Sequence, residues 1–186
     1  MEADWEFEVG GDAPVIDARW EGFVDLPRAP EMVWELAEVR ELRALGAALE
    51  RLNAGDSPVW TSKCDFYPAL QADEFDADEM DAAPGSCTDA VGCYIDILAK
   101  AGGGWSEPQV AEAVCRQVCG ALARMELRRC RVDLIVRRVA GGLDSAALGI
   151  TAYLSACGAN GAEARDTLGA ALAAFADAVC GNSTLQ

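Results

Sequence analysis

Residues 130–156 read CRVDLIVRRVAGGLDSAALGITAYLSA, and they predict two neighbouring strands joined by a turn. Apolar and polar side chains alternate over residues 130–139 and again over residues 146–156, and Gly141 and Gly142 lie between the two runs. Alternation with a period of two is typical of a strand that buries one face and leaves the other wet. This stretch therefore predicts the antiparallel part of a sheet.

Further strands are predicted on the N-terminal side of this pair. β-Favouring runs at residues 59–67 and 90–99 predict two of them, and Pro68 ends the first. Residues 5–9 and 14–24 are also β-favouring and are separated by a glycine-rich turn. We expect these two segments to form an N-terminal hairpin.

Helical periodicity predicts three helices. Leucines recur at helical spacing over residues 38–53, and an apolar stripe also follows residues 107–125. Ser106 and Gln109 have the spacing of a capping box at the start of the second helix. Asn160 opens the last helix, which runs towards the C-terminal end.

The succession of these elements predicts an α+β fold. From the second strand the order is βαββαβ, followed by one more strand and helix, which is the succession of a ferredoxin-like core. We expect a mainly antiparallel sheet with helices on one face, an N-terminal hairpin, and an added C-terminal strand and helix. A chain of 186 residues fits one domain over residues 1–186, with a long acidic loop at residues 68–89.

Charge is distributed unevenly along the chain. Residues 1–81 contain 21 acidic and 6 basic residues, whereas residues 82–186 contain 10 and 9, and the formal net charge is −16. Nucleic acids and anionic membranes are therefore not expected partners, because both bind through Lys and Arg. The first residues lack the basic and apolar regions of a secretory signal, and no apolar run predicts a membrane span, so we expect a cytoplasmic protein.

The eight cysteines show no CxxC pair, and we expect them to be thiols that mostly serve in packing. The chain contains no histidine, which excludes a Ser-His-Asp triad and a Cys-His nucleophile. A thiolate metal or redox site drawing on Cys87 and Cys93 is a minor alternative. We predict no cofactor.

The acidic loop is the main candidate for a partner-binding site. It sets two apolar residues among carboxylates, a composition that suits a docking segment; the candidate residues are Asp73, Glu74, Phe75, Asp76, Asp78, Glu79, Met80 and Asp81. A cluster of arginines follows later in the chain, at Arg124, Arg128, Arg129, Arg131, Arg137 and Arg138. The loop can fold back on this cluster, or it can reach the cluster of a second copy in a self-associated form.

Aspartates in the middle of three predicted strands give an alternative site. Asp65, Asp96 and Asp133 fall on the face that is not in the core, and oxygen ligands of this kind suit Mg²⁺ or Mn²⁺. Palm-type nucleotide enzymes, which this succession resembles at the level of the fold, use strand aspartates for metals. The resemblance implies an enzyme acting on a nucleotide or phosphate substrate.

We weigh these observations in favour of a non-catalytic, acidic binding protein that engages a basic protein partner. In size and charge the chain resembles acidic immunity proteins and secretion chaperones, and that resemblance covers composition only. A metal-dependent enzyme is the alternative.

Overall fold

A computed structural model describes residues 1–71, 75–83, 85–100, 104–141 and 147–181 and shows an α+β fold with one mixed sheet of six strands. The strands are β1 (Glu2–Glu8), β2 (Val15–Asp17), β3 (Val59–Tyr67), β4 (Asp89–Ala99), β5 (Cys130–Ala140) and β6 (Leu148–Gly158). The helices are α1 (Ala37–Glu41), α2 (Arg43–Asn53), α3 (Pro108–Leu122) and α4 (Gly161–Cys180). Short 3₁₀ turns occur at Pro30–Glu35 and Asp78–Met80. None of the described helices is long and apolar enough to cross a membrane.

The strand order is β1-β5-β6-β4-β3, and β2 also pairs with β5. The pairs β3/β4, β4/β6 and β5/β6 are antiparallel, as the alternating patterns predict. Gly141, at the end of β5, has a φ of 73°, a conformation that glycine adopts without strain. The predicted turn between β5 and β6 is therefore confirmed at Gly141, and residues 142–146 lie outside the described ranges.

The expected N-terminal hairpin is wrong. β1 and β2 both run parallel to β5, with Glu8 beside Arg137 and Val15 beside Arg138. The two strands are consecutive parts of one edge, and residues 9–14 loop out between them. Alternation identifies a strand but not its neighbour, so the glycine-rich turn could not distinguish this loop from a hairpin.

The strand order does not confirm a ferredoxin-like core. β4, α3 and β5 do form a βαβ unit in which the two strands are parallel and β6 lies between them. The second such unit is missing, because β2 is parallel to β5 and therefore antiparallel to β3. β6 turns back from β5 and occupies the central place, and the first strands are left at the edge.

The main core lies between the helices and one face of the sheet. Its fully buried side chains include Leu45 and Leu49 of α2, Leu134 of β5, Leu154 of β6 and Phe175 of α4. Alternate apolar residues of β1, β3, β4, β5 and β6 point to these helices, and burial of such side chains is the dominant favourable contribution to folding. Helices on one face of the sheet are thus confirmed.

Two helix boundaries differ from expectation. The helix predicted at residues 38–53 is interrupted at Leu42, whose backbone is extended, although the apolar stripe remains buried on both sides of the break. The capping box at Ser106 is wrong, because α3 begins after Glu107 with no side-chain cap. Asn160 does cap α4, where its side chain accepts hydrogen bonds from two backbone amides.

A disulfide joins Cys87 to Cys157, with their Cα atoms 5.5 Å apart. This corrects the expectation that all the cysteines are thiols. The bond links the connection between β3 and β4 to the C-terminal end of β6, 70 residues away along the chain. Pairing of residues so distant in sequence depends on the strand order, which local spacing does not reveal.

Candidate functional site

The sheet face opposite the helices, here called the open face, collects polar side chains from four strands of the sheet. The register of the strands brings together Lys63 and Asp65 of β3, Tyr94 and Asp96 of β4, Arg131, Asp133 and Arg137 of β5, and Thr151 and Tyr153 of β6. The three aspartates Asp65, Asp96 and Asp133 lie on this face, as their alternation in the sequence predicts. Most of them are half-buried, because neighbouring segments cover parts of this face.

One end of the open face is covered by β2 and the residues that follow it. Ile16 and Ala18 form a small apolar cluster with Leu98, and the Ser62 hydroxyl donates to the carbonyl of Asp17 at 2.6 Å. Trp20 lies next in this segment and lines a cavity of about 400 Å³ over the sheet. The segment therefore forms one wall above the open face.

The edge strand β1 adds a line of carboxylates that the sequence analysis missed as a feature. Glu2, Asp4, Glu6 and Glu8, here called the carboxylate row, lie on the open face beside alternate residues of β5. The signal was present in the sequence, where acids occupy every second position of residues 2–8. Those acids were counted only as net charge, because the strand was recognised from the apolar residues between them.

Only one member of the carboxylate row forms an ion pair within the described part of the chain. Glu8 binds the largely buried Arg137 at 2.6 Å. Glu2, Asp4 and Glu6 have no cationic partner among the described residues; the Asp4 carboxylate accepts a hydrogen bond from the backbone amide of Trp5. These three carboxylates therefore form no ion pair within the described residues, although the charge of Asp4 contributes, after Asp133 and Glu79, to the raised pKa of the neighbouring Arg131.

Three tyrosines line up across the middle of the open face. The ring centroids of Tyr67 and Tyr94 are 6.3 Å apart, and those of Tyr94 and Tyr153 are 5.8 Å apart. Arg137 lies 5.6 Å from the Tyr153 centroid and donates to the Tyr153 hydroxyl at 3.1 Å. The negative face of an aromatic ring attracts cations, and the position of Arg137 shows this property inside the protein.

A cavity of about 460 Å³ lies between the tyrosines and the carboxylate row. Asp4, Glu6 and Asp133 line it together with Arg131, which is paired with Asp133, and Tyr67, Leu70 and Tyr153 contribute aromatic and apolar surface. A cavity with carboxylates beside aromatic rings suits a cationic group on an apolar stem. Arginine and lysine side chains have this structure.

The three strand aspartates are not gathered into a metal site. Asp65 and Asp133 lie at opposite ends of one cross-strand line, with Tyr94 and Tyr153 between them. Asp133 is also paired with Arg131 at 2.8 Å. Within the described ranges, no group of three or more acidic or cysteine side chains could hold a metal ion.

Asp96 is instead a buried carboxylate with a hydroxyl partner. It accepts a hydrogen bond from Thr151 at 2.6 Å and is 6% exposed. Burial raises the pKa of the Asp96 carboxyl, and the hydrogen bond from Thr151 and the charges of Arg137 and Lys63 act in the opposite direction. Asp96 is therefore a buried, hydrogen-bonded group beneath the surface of the open face.

The described part of the acidic loop meets the arginine cluster within the same molecule. Glu79 binds Arg131 at 2.8 Å, Asp81 binds Arg128 at 3.5 Å, and the amide of Arg129 donates to the carbonyl of Met80 at 2.7 Å. The intramolecular alternative of the sequence analysis is therefore observed for these residues.

The remaining loop candidates differ in exposure. Met80 is buried and Phe75 half-buried in a cluster around Cys157, whereas Asp76 and Asp78 are exposed. Asp73 and Glu74 lie outside the described residues.

The other arginines of the cluster have different surroundings. Arg129 pairs with Glu163, Arg137 with Glu8, and Arg138 donates to the carbonyl of Gly10 at 2.8 Å. Arg124 is exposed beside α3.

The cysteines do not form a redox or metal pair at Cys87 and Cys93. Cys87 is in the disulfide with Cys157, and Cys93 is buried among apolar side chains. Burial raises the pKa of the Cys64, Cys115 and Cys119 thiols to about 12, so these groups remain protonated at neutral pH. These three thiols are therefore poor nucleophiles and poor metal ligands.

Comparisons of the chain with protein-family models, with curated proteins and with solved structures find no match.

Proposed function

We propose that this protein is a non-catalytic binding protein that engages a basic protein partner on the open face of its sheet. The observation that carries the proposal is the carboxylate row beside the tyrosine-lined cavity. Three of its carboxylates, Glu2, Asp4 and Glu6, have no ion pair within the described residues, so a cationic partner can bind them without displacing an internal base.

The charge of the whole open face supports this proposal. Among the described residues of its strands, seven carboxylates face this side (Glu2, Asp4, Glu6, Glu8, Asp65, Asp96 and Asp133), together with three cations (Lys63, Arg131 and Arg137). Two of those cations already bind carboxylates of the same face, which leaves the face acidic. A field of one sign attracts partners of the opposite sign and raises their association rate.

The tyrosines add aromatic and apolar contact to the electrostatic attraction. Tyr67 and Tyr153 line the cavity together with Leu70, and aromatic surface packs against the apolar stem of a basic side chain while the head group meets a carboxylate. Aromatic residues beside charged groups are also the composition in which binding energy concentrates at protein interfaces. The face is therefore suited to arginine or lysine rather than to a simple inorganic cation.

The test compares two variants that change the net charge equally. Glu2→Gln, Asp4→Asn and Glu6→Gln together remove three charges from the carboxylate row, whereas the control neutralises the exposed helical residues Glu41, Asp166 and Asp177. Titration with a short oligo-lysine peptide should show at least about tenfold weaker binding for the first variant and a small change for the control.

Salt supplies a second measurement on the unchanged protein. Binding should weaken steeply between about 50 mM and 500 mM salt, because exposed charges are screened over a shorter distance at high ionic strength. Equal weakening by both triple variants would show that the attraction is diffuse and does not depend on the open face. Binding that is insensitive to salt would contradict the electrostatic proposal as a whole.

A further inference from the structure

The outer side of β1 is a free edge within the described part of the sheet. β1 pairs with β5 on one side, and the strand order ends there. An edge strand presents unpaired backbone amides and carbonyls, which form a template for another strand. Within this strand the carbonyl of Asp4 accepts a hydrogen bond from the Cys119 thiol, a weak donor, at 3.5 Å.

This edge presents different chemistry on its two faces. The carboxylate row lies on the open face, whereas Ala3, Trp5 and Phe7 lie on the helical side. Phe7 is 37% exposed, and its ring meets the Trp5 ring edge-on at 5.9 Å between centroids. A strand placed beside β1 would therefore meet acids at every second residue and apolar surface at the residues between.

We propose that the basic partner binds by adding a strand to the outer edge of β1, and that its docking segment alternates basic and apolar residues. This inference rests on the proposed function and specifies the partner's sequence pattern. Adjacent strands place paired side chains on the same face, so basic residues would lie beside the carboxylate row and apolar residues beside Ala3, Trp5 and Phe7. β1 spans seven residues, which sets the length of the docking segment.

The same alternation disfavours a second copy of this chain as the occupant. Two β1 edges placed side by side would bring carboxylates against carboxylates on the open face, and like charges across neighbouring strands are destabilising. Charged side chains on an edge are a common protection against self-pairing. A basic strand in the same position would instead place opposite charges side by side, so this edge favours a basic partner over a second copy of the chain.

The cavity on the open face extends this contact inward. It opens at Asp4 and Glu6, the middle of the carboxylate row, and continues to Asp133 and Tyr153. A long basic side chain that passes over β1 can place its head group beside Asp4 and Glu6, at the mouth of the cavity. We therefore expect arginine or lysine to be favoured most strongly opposite the middle of the edge.

The first experiment compares two seven-residue peptides of the same composition. One has lysine at its four odd positions and valine at its three even positions, and the other has the four lysines followed by the three valines. Fluorescence anisotropy with the full chain should give binding that is about tenfold tighter for the alternating peptide. Only the alternating order can present all its lysines to the carboxylate row and all its valines to the opposite side.

The second experiment tests the backbone of the same alternating peptide. In one version the three valine amides are N-methylated, and in the other the amides of the last three lysines are. Successive amides of a strand point to opposite sides, so strand addition predicts that one version keeps its affinity and the other loses about tenfold or more. Side-chain attraction without strand pairing would affect both versions equally.

The outcomes separate the two proposals. Equal affinity for the alternating and block peptides, or equal loss for the two methylated versions, would overturn strand addition. If the two peptides bound equally well, but both bound more weakly to the variant with a neutralised carboxylate row, the proposed function would stand without strand addition. Absence of binding to either peptide would contradict both.

Discussion

At the residue scale, Gly158 shows how closely β6 approaches the helix that follows it. A Cβ atom at this position would lie 2.7 Å from the backbone nitrogen of Ala164 and 2.9 Å from the Cβ of Glu163. Backbone atoms cannot move aside as the end of a side chain can. We therefore expect Gly158→Ala to lower the free energy of unfolding by about 1–3 kcal/mol in urea denaturation.

Gly161, at the start of α4, provides the matched control for Gly158. A Cβ atom there would meet only the guanidinium of Arg165 at 3.5 Å, an ordinary contact. Gly161→Ala should therefore be neutral or slightly stabilising, because alanine favours helix more than glycine does. Equal losses at Gly158 and Gly161 would contradict the close approach of β6 and α4.

Asp96 gives a pH-dependent prediction at the same scale. Because burial raises the pKa of its carboxyl, the folded protein holds this proton more tightly than the unfolded chain does. This group's contribution to the unfolding free energy is therefore fully favourable below a pH of about 4 and decreases as the pH rises through the raised pKa. Thr151 can still donate to an amide oxygen, so Asp96→Asn should keep the hydrogen bond and remove this decrease.

Urea unfolding at a series of pH values measures that difference. The stability of Asp96→Asn relative to the unchanged protein should increase as the pH rises above about 4. Asp166→Asn on the exposed side of α4 serves as the control for loss of a carboxylate. A relative stability of Asp96→Asn that did not change with pH would contradict the raised pKa of the Asp96 carboxyl in the folded protein.

At the element scale, the disulfide fixes the long connection between β3 and β4. Cys87 lies in that connection, and Cys157 lies at the end of β6 next to Arg129, whose carbonyl accepts from the Cys157 amide at 2.9 Å. A bond that closes a loop of this length typically stabilises a fold by about 2–4 kcal/mol. Cys87→Ala should lower the free energy of unfolding by a similar amount.

A reductant provides the control for this prediction. Dithiothreitol should lower the unfolding midpoint of the unchanged protein and leave that of Cys87→Ala as it is. It should also increase proteolytic cleavage of residues 75–83, which the disulfide holds near the arginine cluster. An unchanged midpoint after reduction would show that the bond is not present in the folded protein.

Individual elements were predictable where short-range chemistry fixes them. β3 occupies Val59–Tyr67 as expected, because Pro58 and Pro68 lie on either side of a β-favouring run. Asn160 caps α4 because its carboxamide reaches the first free amides of the helix. Ser106 failed as a cap because the helix begins one residue later than the capping box requires.

At the scale of the whole molecule, the two charged regions of the sequence form one connected surface. Glu79 and Asp81 of the acidic loop bind Arg131 and Arg128, and Arg131 also binds Asp133 on the open face. Part of the acidic excess is therefore compensated inside the molecule. Three of the described acids that form no ion pair, Glu2, Asp4 and Glu6, lie together on β1.

The sequence by itself determined the α+β class, the strands β3 to β6, the helical stripes and the face on which the residues of these strands lie, whereas the predicted strand at residues 14–24 is limited to Val15–Asp17. Each of these depends on a period of two or 3.6 residues, which is local information. Only the tertiary structure decided that β6 lies between β4 and β5, that β1 and β2 share one parallel edge, and that Cys87 meets Cys157. Strand order depends on how all the apolar faces are buried together, so local alternation does not fix it. The acids of residues 2–8 became a candidate site through their place at the sheet edge, beside a cavity that other strands complete.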